Sequence, residues 1–211
     1  MIERPTVRTP LPQVVGIGQA HGVDWQHTWD AMRGIEAAAL EGQPFCTYLT
    51  TGLVHPPFVA EQRHLDRIDA QAIDVPPLFG LEQTEHPAVR YQRIAKNCAR
   101  AFSPMLVRQM RHVYFAMIAA LDEMVGRVVQ QIDELGLRDS TYIIFSSDHG
   151  EMAGEQNQVL KRCMYEASAH VPLIICGPDV RRGAVVDEPV SLVDLYPTLM
   201  DMAGVSYQTL A

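Results

Sequence analysis

Apolar residues recur along this chain at helical intervals, then gather into short runs, and then recur at helical intervals again. Residues 1–23, rich in proline, glycine and isolated valines, predict an irregular lead-in. Asp24 is placed to cap a helix running to about Glu41, on which Trp25, Trp29, Met32, Ile35 and Ala39 mark one apolar face and Gly42 the stop. The run from Pro44 to Thr51 carries β-formers on both faces and predicts an internal strand. It ends at His55, where Pro56 and Pro57 forbid continuation. Residues 59–102 are polar and broken by prolines, which predicts a long loop with short helices that serves as a substrate-side lid.

The second half is more regular. Ser103 followed by Pro104 is a strong helix start. Leu106, Met110, Val113, Met117, Leu121, Met124, Val128 and Ile132 keep one face apolar to Leu135, about eight turns on, before Gly136. The methionines read as core, and Gly126 predicts close packing of that helix. Thr141–Ser146 and Val171–Cys176 are apolar strands, and residues 191–204 form a capped helix ended by Gly204. Helix and strand in alternation predict an α/β fold: a mostly parallel sheet with helices on both faces.

Composition narrows the function classes. With 211 residues, 47% hydrophobic and 20% charged, the chain has the material for a globular core. A net charge of -8 argues against general nucleic-acid binding. No run reaches the roughly 18–20 apolar residues of a membrane span. No signal peptide is visible, and the compartment stays open. Cys46, Cys98, Cys163 and Cys176 lack CxxC pairing, which excludes a zinc ribbon, and Cys46 and Cys176 read as buried thiols.

The candidate chemistry gathers at strand ends. Asp148 and His149 follow the Thr141–Ser146 strand, Lys161 lies in the loop beyond, and His55 ends the earlier strand. On a parallel sheet such ends share one edge, where ligands bind. Asp148 offers oxygen and His149 nitrogen to a divalent cation, while His55 and Lys161 offer donors to an anion. Read singly, each has a plainer account. Asp148 could cap a turn, His149 and Lys161 could be solvated, and His55 could be a loop residue. Glu151 and Glu155 would by default face water, and His170, just before a strand, is a weaker substrate-binding candidate than His55. Arg90, Arg93, Lys96 and Arg100 at helical spacing read as a solvated face rather than an anion-facing wall.

Three stretches, Phe145–Glu151 (FSSDHGE), Lys161 and Met164–Leu173 (MYEASAHVPL), resemble the sulfatase family of the alkaline phosphatase superfamily. So do the helix at 191–204, the helix segment at 114–126, and the Pro44 strand with His55-Pro-Pro. The similarity runs from about residue 24 to 205, and implies that residues 1–211 are a partial, incomplete sulfatase catalytic domain. It implies hydrolysis of a sulfate ester, on a small molecule or a sulfated saccharide such as a sugar acid. Asp148 and His149 would then hold a divalent cation, usually calcium, while Lys161 and His55 contact the sulfate. The family's nucleophile is a formylglycine made from a C/S-x-P-x-R segment, which this sequence lacks. The nearest approach is Cys176-Gly-Pro-Asp-Val180, with Arg181 one residue late. Nitrogen at His149 also suits zinc or manganese, as in phosphodiesterase and phosphonate monoester hydrolase relatives. Periplasmic, secreted or lysosomal placement follows from the resemblance, with a cytoplasmic one left open. An incomplete sheet predicts self-association through exposed edges.

Overall fold

The computed structural model describes residues 13–16, 18–80 and 85–205. In chain order these form β1 (Gln13–Val15), α1 (Gly22–Leu40), β2 (Val59–Glu61), α2 (Gln62–Leu65), α3 (Pro87–Ala95) and α4 (Pro104–Glu134), followed by β3 (Ile143–Ser146), α5 (Glu166–Ala169), β4 (Leu173–Cys176) and α6 (Leu195–Met202).

Helix α4 is the spine, and its ends follow local chemistry. Ser103 Oγ accepts from the Leu106 amide at 3.2 Å, Pro104 occupies the first turn, and Gly136 takes a left-handed φ of 71° beyond the last. Its buried stripe runs through Val107, Met110, Val113, Met117, Met124 and Ile132. Ala116 and Ala120 are buried as well, so the contact face is shifted slightly from the predicted row, leaving Leu106, Leu121 and Val128 half-buried. Phe58, Ala60, Leu65 and Val159 complete the core against this stripe, with the Phe58 and Tyr114 rings edge to face at 6.1 Å. Gly126 does not serve close packing, because a Cβ there would meet nothing within 4 Å.

Several expectations change at the edges. Helix α1 starts at Gly22, and Asp24 does not cap it. Asp24 is only 7% exposed, and its carboxylate accepts instead from the Gly52 amide at 2.5 Å and ties α1 to the loop before His55. The lead-in contains β1, which pairs in parallel with β2 (Gln13 opposite Val59), a pair too short to leave a periodic signal. Residues 44–51 form no strand and pair with none among the described residues, and Tyr48 is 91% exposed. A β-forming run becomes a strand only against a partner edge. Cys46, in this unpaired run, is exposed rather than buried, and so is Cys176, which lies on the open face of the paired strand β4.

The described strands make two pairs. β1 and β2, neither of them expected as a strand, run parallel, whereas β3 and β4 run antiparallel, Ile143 opposite Cys176 and Ser146 opposite Leu173. The connection between β3 and β4 holds a 3-10 turn and the four-residue α5, not the long crossover helix that a parallel return generally uses. Neither strand is fully buried, so the Thr141–Ser146 run sits half-open rather than inside.

The expected solvated face on α3 is also corrected. Arg93 is 0% exposed, with Nη1 2.6 Å from Glu85 Oε1, Nη2 2.7 Å from the Phe79 carbonyl oxygen, and the guanidinium 5.2 Å from the Phe79 ring centre. Lys96, at the C-terminal cap of α3, is 6% exposed. Two of the four basic groups therefore face inward.

Candidate active site

Strand β3 delivers Asp148 and His149 into a turn backed by α5. The Gly150 amide donates to the Ser168 carbonyl at 2.9 Å, and a Cβ at Gly150 would lie 2.2 Å from the Ala167 carbonyl oxygen. Only glycine lets the turn pack this closely.

His149 Nδ1 lies 2.9 Å from the Gly150 carbonyl oxygen, which can only accept. The proton of the neutral ring therefore sits on Nδ1, and the Nε2 lone pair faces Asp148 Oδ2 at 3.5 Å. Asp148 is held by its Oδ1, which accepts from the His149 amide at 3.0 Å, while its side chain stays 85% exposed. Two lone-pair donors facing each other at an open turn fit two positions around a divalent cation. They are a partial set: among the described residues no group of three or more His, Cys, Asp and Glu side chains is arranged to hold an ion.

His55 arrives from the other side. Its Nδ1 donates to the Pro56 carbonyl at 2.8 Å, so Nε2 is an acceptor, and Lys161 Nζ donates to it at 2.7 Å. The His55 and His149 rings stand edge to face, 6.3 Å between centres. The expected gathering of His55, the Asp148–His149 turn and Lys161 is therefore present, although the shared edge of parallel strands from which it was argued is not. His170 lies elsewhere in these contacts. It is exposed, and its Nδ1 is 3.0 Å from Glu166 Oε2.

The loop that carries Lys161 is stapled by groups the sequence left unremarked. Glu151, expected to face water, turns inward, and its Oε1 accepts from the Ala153 amide at 3.1 Å and the Leu160 amide at 2.5 Å. Asn157 is fully buried. It donates to the Cys98 and Arg100 carbonyls at 3.1 and 2.9 Å, and accepts from the Phe102 amide at 2.8 Å. Lys96 Nζ donates to the backbone carbonyl of Lys161. Glu155 pairs with Arg111 at 3.1 Å rather than facing only water. Leu160 and Arg162, on either side of Lys161, are both left-handed, with φ of 65° and 76°. Side-chain residues pay roughly 1–2 kcal/mol each for that conformation. No sequence signal pointed to this framework: Lys96 read as part of a solvated basic face, and Glu151 as facing water.

Burial pushes the Lys96 ammonium below its ordinary range, with Cys163, Cys98 and Glu151 opposing the shift. Burial likewise raises the Glu151 carboxyl, against the two loop amides and the charge of Lys96. An acid whose folded pKa is raised binds its proton more readily in the folded state, so its contribution to stability falls as pH rises from the unfolded value through the folded one. Glu151→Gln keeps an acceptor oxygen without the charge. Its stability relative to the unsubstituted chain is expected to rise across that window, by about 1 kcal/mol or less, in urea unfolding followed from pH 4 to pH 7.

The sulfatase family model matches residues 5–205, nearly the whole chain. The chain belongs to the sulfatase family. Human arylsulfatase K is 37% identical over 196 residues, covering 86% of this chain and 36% of that protein, and the zebrafish (Danio rerio) arylsulfatase K is 36% identical over 213 residues. The chain thus spans little more than a third of the length of these relatives. Among solved structures, a phosphonate monoester hydrolase from Silicibacter pomeroyi superposes with a TM-score of 0.72 at 30% identity, covering 85% of this chain and 37% of that one. The phosphonate monoester hydrolase of Agrobacterium radiobacter gives 0.68 at 26% identity, covering 85% and 38%. The described architecture is therefore part of an alkaline phosphatase/sulfatase-type α/β fold. Among the described residues no helix is long and apolar enough to cross a membrane.

Proposed function

We propose that these residues form the lysine- and histidine-bearing part of a sulfuric ester hydrolase whose nucleophile lies outside them. The observation that carries this reading is the 2.7 Å contact of Lys161 Nζ with His55 Nε2 beside the Asp148–His149 turn, in a chain of the sulfatase family. The Lys161 ammonium has three N–H donors and uses one on His55, leaving two for the oxygens of an anionic ester. Lys161 binds and orients the sulfate, and its charge offsets negative charge that develops on the departing oxygen. His55 keeps that ammonium in place through its Nε2 lone pair and is itself fixed by the Pro56 carbonyl. Asp148 and His149 would hold a divalent cation, whose Lewis acidity polarises the ester oxygens when it is bound. Calcium is the family's usual ion, and the nitrogen of His149 also suits manganese or zinc. The substrate class is a sulfate ester, including a sulfated sugar acid.

The sequence has no C/S-x-P-x-R segment to become formylglycine. Residues 1–211 alone are therefore expected to give no metal-dependent sulfate ester turnover above buffer. The hydrolase completed with such a segment should give it, as measured with a chromogenic sulfate ester. Robust turnover by residues 1–211 alone would overturn the placement of the nucleophile.

A second reading rests on His149 and on the 30% identity to a phosphonate monoester hydrolase. Paired sulfate, phosphate and phosphonate ester assays on the completed hydrolase separate the two. Phosphonate or phosphate turnover far above sulfate turnover would sink the sulfatase reading.

A further inference from the structure

The sequence contains two lysines, Lys96 and Lys161, and the fold brings them together. Lys96 does not point its ammonium toward the candidate site. It is 6% exposed and donates to the backbone carbonyl of Lys161 from behind. On the residue before, the Leu160 amide donates to Glu151 Oε1. The backbone so gripped is unfavourable: Leu160 and Arg162 are both left-handed, and neither is glycine. Backbone of this kind persists where surrounding contacts over-determine it. The two grips have independent foundations. Lys96 ends α3, which the buried Arg93 ties to Glu85, Phe79 and Cys98. Glu151 follows the Asp148–His149 turn.

We propose that Lys96 and Glu151 are positioning residues, a backbone clamp on either side of Lys161 that fixes where its ammonium meets His55. The proposal rests on Lys161 as the anion contact and deepens that reading: the donor geometry at the site is set by two side chains that touch no substrate. Glu151 also couples the two halves, since it joins the cation-facing turn to the residue preceding Lys161. A displacement at either place is transmitted through one carboxylate.

Two lysines make the test clean. A chain grown with isotope-labelled lysine shows two lysine side-chain systems by NMR, and Lys96→Met leaves only that of Lys161. In the unsubstituted chain the Lys161 Cε protons should show nuclear Overhauser contacts to the His55 ring. Lys96→Met is expected to abolish them and to raise the acylation rate of the Lys161 amine about tenfold, the factor expected for loss of one charge-assisted hydrogen bond. Lys96→Arg, which keeps a cationic donor, should restore part of both. Glu151→Ala should act like Lys96→Met, and Glu151→Gln should not, because its amide oxygen still accepts. Contacts between β3 and β4 should stay unchanged in all four, which separates positioning from general loosening.

A folded Lys96→Met chain with the His55 contacts intact and the acylation rate unaltered would overturn the proposal. If Lys96→Met does not fold, the unsubstituted chain decides. A Leu160 amide exchanging at least about a hundredfold slower than an open loop amide supports the clamp, and exchange at the open rate overturns it. These readouts involve no turnover, so failure of the sulfatase reading would appear in the ester assays and leave them unmoved.

Discussion

Lys161→Ala in the completed hydrolase is expected to lower kcat/KM for a sulfate ester by about 10²–10³-fold, the usual cost of removing one preorganised donor from developing negative charge. Two features of the site set the size of the effect. Lys161 Nζ already has one donor engaged at 2.7 Å by His55 Nε2, so its remaining donors are oriented before any anion arrives. No other lysine in the sequence can replace it, because Lys96 is turned inward to the Lys161 carbonyl. Steady-state kinetics should show the loss mainly in kcat if the donor acts on the departing oxygen, and mainly in KM if it only holds the sulfate. A loss below about threefold in both would remove Lys161 from the proposed machinery. His55→Ala should cost less, since it acts by holding the ammonium.

Gly150→Ala is expected to be the most damaging single methyl in the chain's site region. The added carbon would fall 2.2 Å from the Ala167 carbonyl oxygen and 3.0 Å from its carbonyl carbon, and both are backbone atoms that cannot rotate aside. The turn must move, and the 2.9 Å bond from the Gly150 amide to the Ser168 carbonyl goes with it. Overpacking of this kind typically costs about 1–3 kcal/mol, and contact with rigid backbone places it at the upper end. Urea unfolding should show the loss as a lower midpoint with an unchanged slope. Because Gly150 adjoins His149, the same substitution should weaken cation binding by the completed hydrolase beyond what the lost stability explains. A midpoint within experimental scatter of the parent would mean that α5 yields freely.

The parts of this structure legible in the sequence were those governed by local rules. Ser103, Pro104 and Gly136 bound α4 as read, and its methionine stripe is core, because capping and helical periodicity depend on neighbours within one or two turns. The convergence of His55, His149 and Lys161 was expected from a shared edge of parallel strands, yet it forms without one: no strand leads into His55 among the described residues, and β3 and β4 are antiparallel. What escaped was set by distant partners. Asp24 looks like a cap until the Gly52 amide claims it, and Arg93 looks solvated until Glu85, Phe79 and Cys98 enclose it. Glu151 looks like a surface acid until two loop amides fold onto it. The Pro44–Thr51 run failed for the opposite reason: its strand-forming residues met no partner edge among the described residues. Short elements such as β1 and β2, three residues each, carry too few positions for a periodic signal.

The stretch expected to act as a lid has a different character in its described part. From Glu85 to Phe102 it is fastened by the buried Arg93, by three hydrogen bonds to Asn157, and by Lys96. Among the described residues, 85–102 thus form a wall built from buried ties. On the proposed reading of Lys161 as the anion contact, the anion's rate of arrival should then fall as salt is added, as for a charge-steered encounter.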